Sequence, residues 1–143
     1  MSTPLENPRL AHALARLGLG LNIALHGISR LPDLPGFAAG VQASFDKSPL
    51  PPSWVYASSL AIPVAETLFG LLIFAGIELR RSLVAGTLLM IFLVTGACSA
   101  QNWTAASIQM TYLGFYVALI ATLRHDALSI DAWRRERKQE HGA

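Results

Sequence analysis

Four long apolar stretches, residues 10–31, 54–77, 82–100 and 104–123, are separated by short polar or proline-marked links. Each is long enough to cross a hydrocarbon core of ~30 Å at a rise of ~1.5 Å per residue. The last two contain no formally charged residue. Helices of a water-soluble bundle need a polar face, and these have none. The pattern therefore predicts an all-α fold, a four-helix transmembrane bundle. The links at 78–81 and 101–103 are tight, so neighbouring helices run antiparallel, up-down-up-down.

The link between the first two stretches differs. It is long and marked by Pro32, Pro35, Pro49, Pro51 and Pro52. Within it Phe37, Val41 and Phe45 recur every four residues, which predicts a short amphipathic helix in the first outward loop, apolar side down. Such a helix is either a re-entrant cover for the bundle or a lid over a pocket.

Composition agrees with the pattern. Hydrophobic residues make up 52% of the chain and charged residues only 14%, against ~25% charged in ordinary globular domains. The net charge of +2 would suit an acidic partner, but the basic residues sit at span ends. Arg9, Arg80, Arg81, Arg124, Arg134, Arg135, Arg137 and Lys138 fall on one side of a four-span chain; Arg30 and Lys47 fall on the other. By the positive-inside rule both termini are expected in the cytoplasm, with the loops at 32–53 and 101–103 facing outward. The basic tail is then a topology signal and a candidate lipid-headgroup contact, and nothing further points to nucleic acid. The expected division is an N-terminal tail at 1–9, a membrane domain at 10–125 and a basic tail at 126–143. His12, Arg16 and Asn22 interrupt the first stretch, which is not the pattern of a cleaved signal peptide. A single cysteine, Cys98, excludes an internal disulfide, a dithiol relay and a cysteine-built metal site.

The chemistry lies in the few polar residues inside the spans. Glu66 is the one formal charge in the second stretch. An ionisable group at mid-membrane costs ~2.5–3.5 kcal/mol on insertion scales, so it is expected to be paired or used. Pro63, one turn before it, frees the Ser59 carbonyl and predicts a bend. Gly18, Asn22, His26 and Arg30 recur every four residues and share a helix face. Gln109, Tyr112 and Tyr116 share a face of the fourth span. Counting depth from the outer end puts Glu66 ~18 Å in, level with Gly18–Gly20. This makes Arg16 the expected partner of Glu66, with His26 on the outward side of the cluster. An Arg16–Glu66 pair serves equally as a structural tie or as part of a site.

These motifs have a recognisable order. Arg16-Leu17-Gly18-Leu19-Gly20 followed by His26-Gly27-x-x-Arg30, then Pro63-x-x-Glu66-x-x-x-Gly70 and the turn at 76–81, resembles the DoxX family of small four-span bacterial membrane proteins. The likeness spans roughly residues 10–125. Arg30 stands where many members have Lys, and Gln109 where a charged or amide residue is common. The family takes its name from the membrane part of a thiosulfate:quinone oxidoreductase, and other members are linked to redox-stress complexes, assembly or chaperone-type roles. The resemblance implies a quinone-linked redox membrane subunit with a redox or assembly partner protein. Glu66, His26 and Arg16 would be its catalytic residues, and Asn22, Arg30, Gln109, Tyr112 and Tyr116 would hold the quinone. The alternative is a non-catalytic assembly, scaffold or small-molecule-permeation protein whose polar cluster sets helix register.

Overall fold

A computed structural model describes residues 7–141; residues 1–6 and 142–143 of the two tails lie outside the described part. Among the described residues six helices follow one another: α1 (Asn7–Ile28), α2 (Leu34–Ser44), α3 (Pro52–Ala75), α4 (Leu79–Ser99), α5 (Trp103–Ala121) and α6 (Ile130–His141). Short 3-10 turns at Leu31–Asp33 and Leu123–His125 join α1 to α2 and follow α5. The expected all-α bundle and the expected loop helix are both present, and the basic tail carries α6 as an additional helix.

Local chemistry sets the ends. Asp33 accepts a hydrogen bond from the Gly36 amide at 3.0 Å and so caps α2; Asn102 does the same for α5 through the Ala105 amide at 3.0 Å. Between α3 and α4 the chain reverses through Gly76 at φ 69°, a left-handed conformation that glycine adopts without a Cβ penalty. The amide of Leu79 at the start of α4 donates to Asp131 Oδ2 at 2.8 Å, and the Asp131 amide donates to the Gly76 carbonyl at 3.0 Å. These two bonds fasten the beginning of α6 to the α3–α4 turn.

α3, α4 and α5 are long and apolar enough to cross a membrane. Only 28%, 28% and 17% of their most apolar windows are buried inside the bundle, so most of that surface is matched to lipid rather than to a protein core. Pro63 lies buried within an uninterrupted α3. α1, of similar length, is more polar and is not among those three. The helices pack as two antiparallel pairs, α1 on α3 and α4 on α5, with lighter contact between the pairs. The apolar centre is Leu19, Ile23, Ile73, Leu79, Leu83, Met90, Tyr116 and Leu119.

The pair α1–α3 is staggered along its axis. A Cβ on Gly27 would strike Pro63 and Thr67, one on Gly70 would strike the backbone of Ala24, and one on Gly20 would come within 2.5 Å of the Phe74 amide nitrogen. α1 therefore lies beside the second half of α3 only. The first turns of α3, residues 52–62, extend roughly 16 Å past α1, and α2 packs along them. At the opposite end, the first turns of α1 project beyond the end of α3. The polar N-terminal third of α1, with Arg9, His12 and Arg16, is thereby placed near the span ends rather than between them.

Candidate functional site

The stagger leaves a cavity of about 720 Å³ at the α2 end of the bundle, bounded by the last residues of α1, by α2, and by parts of α3, α4 and α5. α2 contributes Phe37, Val41 and Phe45; α3 contributes Trp54, Ser58, Ser59 and Ile62; α4 contributes Leu88, Ile91 and Phe92. The rings of Trp54 and Phe92 meet edge to face, their centroids 5.6 Å apart. The walls are mostly aromatic and aliphatic, with the hydroxyls of Ser44, Ser58, Ser59, Thr95 and Ser99 among them, and the ionisable groups gather at one place.

That place is Glu66. Its side chain is buried, and Oε2 accepts a hydrogen bond from Arg30 Nη1 at 2.5 Å. Arg30 Nη2 lies 3.5 Å from His26 Nδ1, and the Arg30 guanidinium sits 4.9 Å from the centre of the Phe37 ring. His26 in turn meets Tyr112 edge to face at 6.0 Å. Ion pair, imidazole and aromatic lid face form one cluster, with Glu66, Arg30 and His26 all lining the cavity. Gln109 lines it from α5, and its buried Oε1 has no hydrogen-bond partner among the described residues. Arginine carries five N–H donors, so Arg30 has donors left for a ligand after bonding to Glu66.

Arg16 does not reach Glu66. It is almost wholly buried at the other end of the bundle, where Nη1 donates to the Ile73 carbonyl at 2.9 Å and to the Phe74 carbonyl, and Nη2 donates to the Leu128 carbonyl at 2.7 Å. It caps the last carbonyls of α3 and holds the segment before α6 against them. The depth count failed because it started α1 and α3 at a common height. With the observed stagger, Glu66 is level with the last turn of α1, where Arg30 follows, and Arg16 is level with the end of α3.

Three other expected site residues separate in space. Asn22 is exposed on the outside of α1, away from the cavity, so the four-residue row from Gly18 to Arg30 winds out of the bundle interior. Tyr112 stands behind His26 rather than at the cavity surface. Tyr116 is fully buried in the apolar centre, packed against Gly86, and its hydroxyl has no hydrogen-bond partner among the described residues. The cavity also uses residues that sequence reading did not assign to a site. Phe37, Val41 and Phe45 had a signal in their spacing, and Trp54 opens the second apolar stretch, where an interfacial aromatic is expected. Phe92 had none, because α4 is apolar on every face.

Arg16→Gln is expected to remove the charged donor from three carbonyls. Bonds of this kind to a charged group contribute roughly 1.5–3 kcal/mol. Unfolding in detergent micelles should shift to lower temperature, while ligand binding in the cavity stays unchanged because the two places lie at opposite ends of α3. Loss of binding in a folded Arg16→Gln protein would contradict that separation.

No curated protein and no solved structure matches the chain. The family model for DoxX matches residues 11–102, which take in α1 to α4 and so Arg16, His26, Arg30 and Glu66, and leave Gln109, Tyr112 and Tyr116 on α5 beyond the match. With well over half of its length matched, this multi-pass membrane protein belongs to the DoxX family.

Proposed function

We propose that the cavity holds a quinone and that the chain is the membrane subunit of a quinone-linked oxidoreductase, its electrons arriving from a partner protein or a small reduced substrate. The observation that carries this reading is the Arg30–Glu66–His26 cluster at one end of a cavity walled mostly by aromatic and aliphatic side chains. Such a place suits a ligand with carbonyl oxygens at one end and an apolar body. The residues fit: Arg30 has spare N–H donors for a quinone carbonyl, Gln109 Oε1, without a partner among the described residues, can accept from a hydroxyl of the reduced quinol, and Phe37, Trp54 and Phe92 supply flat apolar faces.

A bound quinone supplies a two-electron, two-proton acceptor. Arg30 and His26 orient a carbonyl oxygen. Glu66 is the one carboxyl lining the cavity, and it exchanges a proton at its carboxyl oxygens as a general acid and base. α2 excludes water from the cluster, with Phe37 over the Arg30 guanidinium. In the cell we place both termini in the cytoplasm and the cavity toward the outer face of the bacterial inner membrane.

Lipid-extract mass spectrometry of washed, purified protein tests the reading. The expected result is about one quinone per chain, together with saturable quenching of tryptophan fluorescence by added quinone that is lost in Trp54→Phe. Protein free of quinone and insensitive to added quinone would overturn it.

One observation favours a second reading. The Arg30–Glu66 pair joins the link that follows α1 to the middle of α3, as a tie that merely fixes helix register would. A non-catalytic assembly or scaffold protein needs no more than that tie, and Glu66→Gln would then change stability or partner binding and nothing else.

A further inference from the structure

At the end of the bundle opposite the cavity, a second hollow of about 460 Å³ opens between the α3–α4 turn, the turn after α5 and the start of α6. Four arginines line it: Arg80, Arg81, Arg124 and Arg135. It also contains three acids, but each is engaged within the protein. Asp131 accepts from the Leu79 amide at 2.8 Å. Asp126 Oδ2 accepts from Ser129 at 2.6 Å and pairs with Arg135 at 2.9 Å, while its Oδ1 is buried without a partner among the described residues. Glu78 pairs with Arg81 at 3.2 Å. Arg80 and Arg124 keep guanidinium donors that no acid of the described residues engages; Arg124 gives only its Nε to His125, at 3.1 Å.

The place of this hollow in the fold says what kind of anion reaches it. α3 ends, α4 begins and α5 ends here, so the arginines stand where the apolar spans meet the interface. Within two helical turns of Arg80 and Arg124 along α4 and α5, Val84 and Val117 are 42% and 53% exposed, apolar side chains left to lipid. Phosphate-binding guanidinium groups next to bare apolar side chains match an amphiphile with an anionic phosphodiester head and acyl tails.

We infer that the hollow between the α3–α4 turn and α6 binds the headgroup of an anionic phospholipid, with Arg80 and Arg124 as phosphate donors and the exposed apolar sides of α4 and α5, at Val84 and Val117, against the acyl chains. The site stands apart from the quinone reading and does not depend on it.

Native mass spectrometry of the full-length protein, released from vesicles of phosphatidylcholine with a minor fraction of phosphatidylglycerol, provides the test. The unsubstituted protein should retain phosphatidylglycerol in preference to phosphatidylcholine. At about 1 kcal/mol for each arginine near the lipid surface, Arg80→Gln with Arg124→Gln should weaken that retention about thirtyfold. Lys47→Gln, which removes a positive charge from the other end of the bundle, should leave it unchanged. Equal retention of the two lipids by the unsubstituted protein would overturn the proposal, as would full phosphatidylglycerol retention in the folded double variant. Displacement of the lipid by millimolar inorganic phosphate would also overturn it and make the hollow a soluble-anion site.

Discussion

On the proposed quinone reading, Glu66→Gln is expected to abolish quinone-dependent turnover with the cognate donor, in protein that remains inserted, folded and able to bind quinone. The substitution is close to isosteric and keeps an oxygen acceptor facing Arg30 Nη1, 2.5 Å from Oε2 in the native pair. Shape and the hydrogen bond are therefore largely retained, and what is lost is a group that takes up and releases a proton. General acid–base groups contribute typically ~10²–10⁴-fold to rate, which sets the size of the expected loss. The measurement is quinone reduction in membranes, with bound quinone assayed on the same preparation. Unchanged turnover would sink the proton-carrying role of Glu66. Lost turnover accompanied by lost helicity would point to the tie between α1 and α3 instead. Arg16→Gln is the matched control, since its charge serves the carbonyls of Ile73, Phe74 and Leu128 and not the cavity.

The second large effect belongs to Gly70. A Cβ there would collide with the backbone nitrogen of Ala24, and backbone, unlike a side-chain tip, cannot swing aside. Helix association in membranes rests on close packing of small residues, because lipid removes the hydrophobic drive between helices. Gly70→Leu should push α1 off α3 and take Arg30 away from Glu66, since the residues after α1 travel with it. Overpacking a tight contact costs about 1–3 kcal/mol, and occasionally more. Here we expect most of the protein to leave the monodisperse peak in size-exclusion chromatography and to lose quinone binding. Gly114→Leu is the comparison: nothing lies within 4 Å of a Cβ at that position, so this variant should behave as the parent does. Equal behaviour of the two would mean that α1 and α3 do not make the close contact described.

Much of the architecture was legible because hydrophobic runs and their lengths are local properties. The two charge-free runs led directly to α4 and α5, the prolines bounded the first loop, and the four-residue spacing of Phe37, Val41 and Phe45 announced α2. The site was legible in part. Glu66, His26, Arg30 and Gln109 do line one cavity, because each was picked for being polar within an apolar helix. Asn22 was picked on the same ground and lies outside. A four-residue step advances ~400° around a helix of 3.6 residues per turn, so the row from Arg30 back to Gly18 drifts ~40° per step and leaves the interior. Helix α6 had no apolar run to announce it; its start is held by Asp131 and the Gly76 carbonyl across the α3–α4 turn, contacts between residues far apart in the chain.

The sequence by itself determined the solvent, the four long helices with the short one in the first loop, and the need of one buried carboxylate for a partner. Those follow from run length, periodicity and the cost of a lone charge in hydrocarbon. The tertiary structure alone decided which arginine answers that need. The axial offset between α1 and α3 is set where Gly20, Ala24 and Gly27 meet Gly70, Thr67 and Phe74. It is a property of two surfaces in contact, which counting along either helix cannot reveal. That offset carries Arg30 to Glu66 and Arg16 to the carbonyls at the end of α3, and it opens beside α2 the cavity in which Glu66 stands.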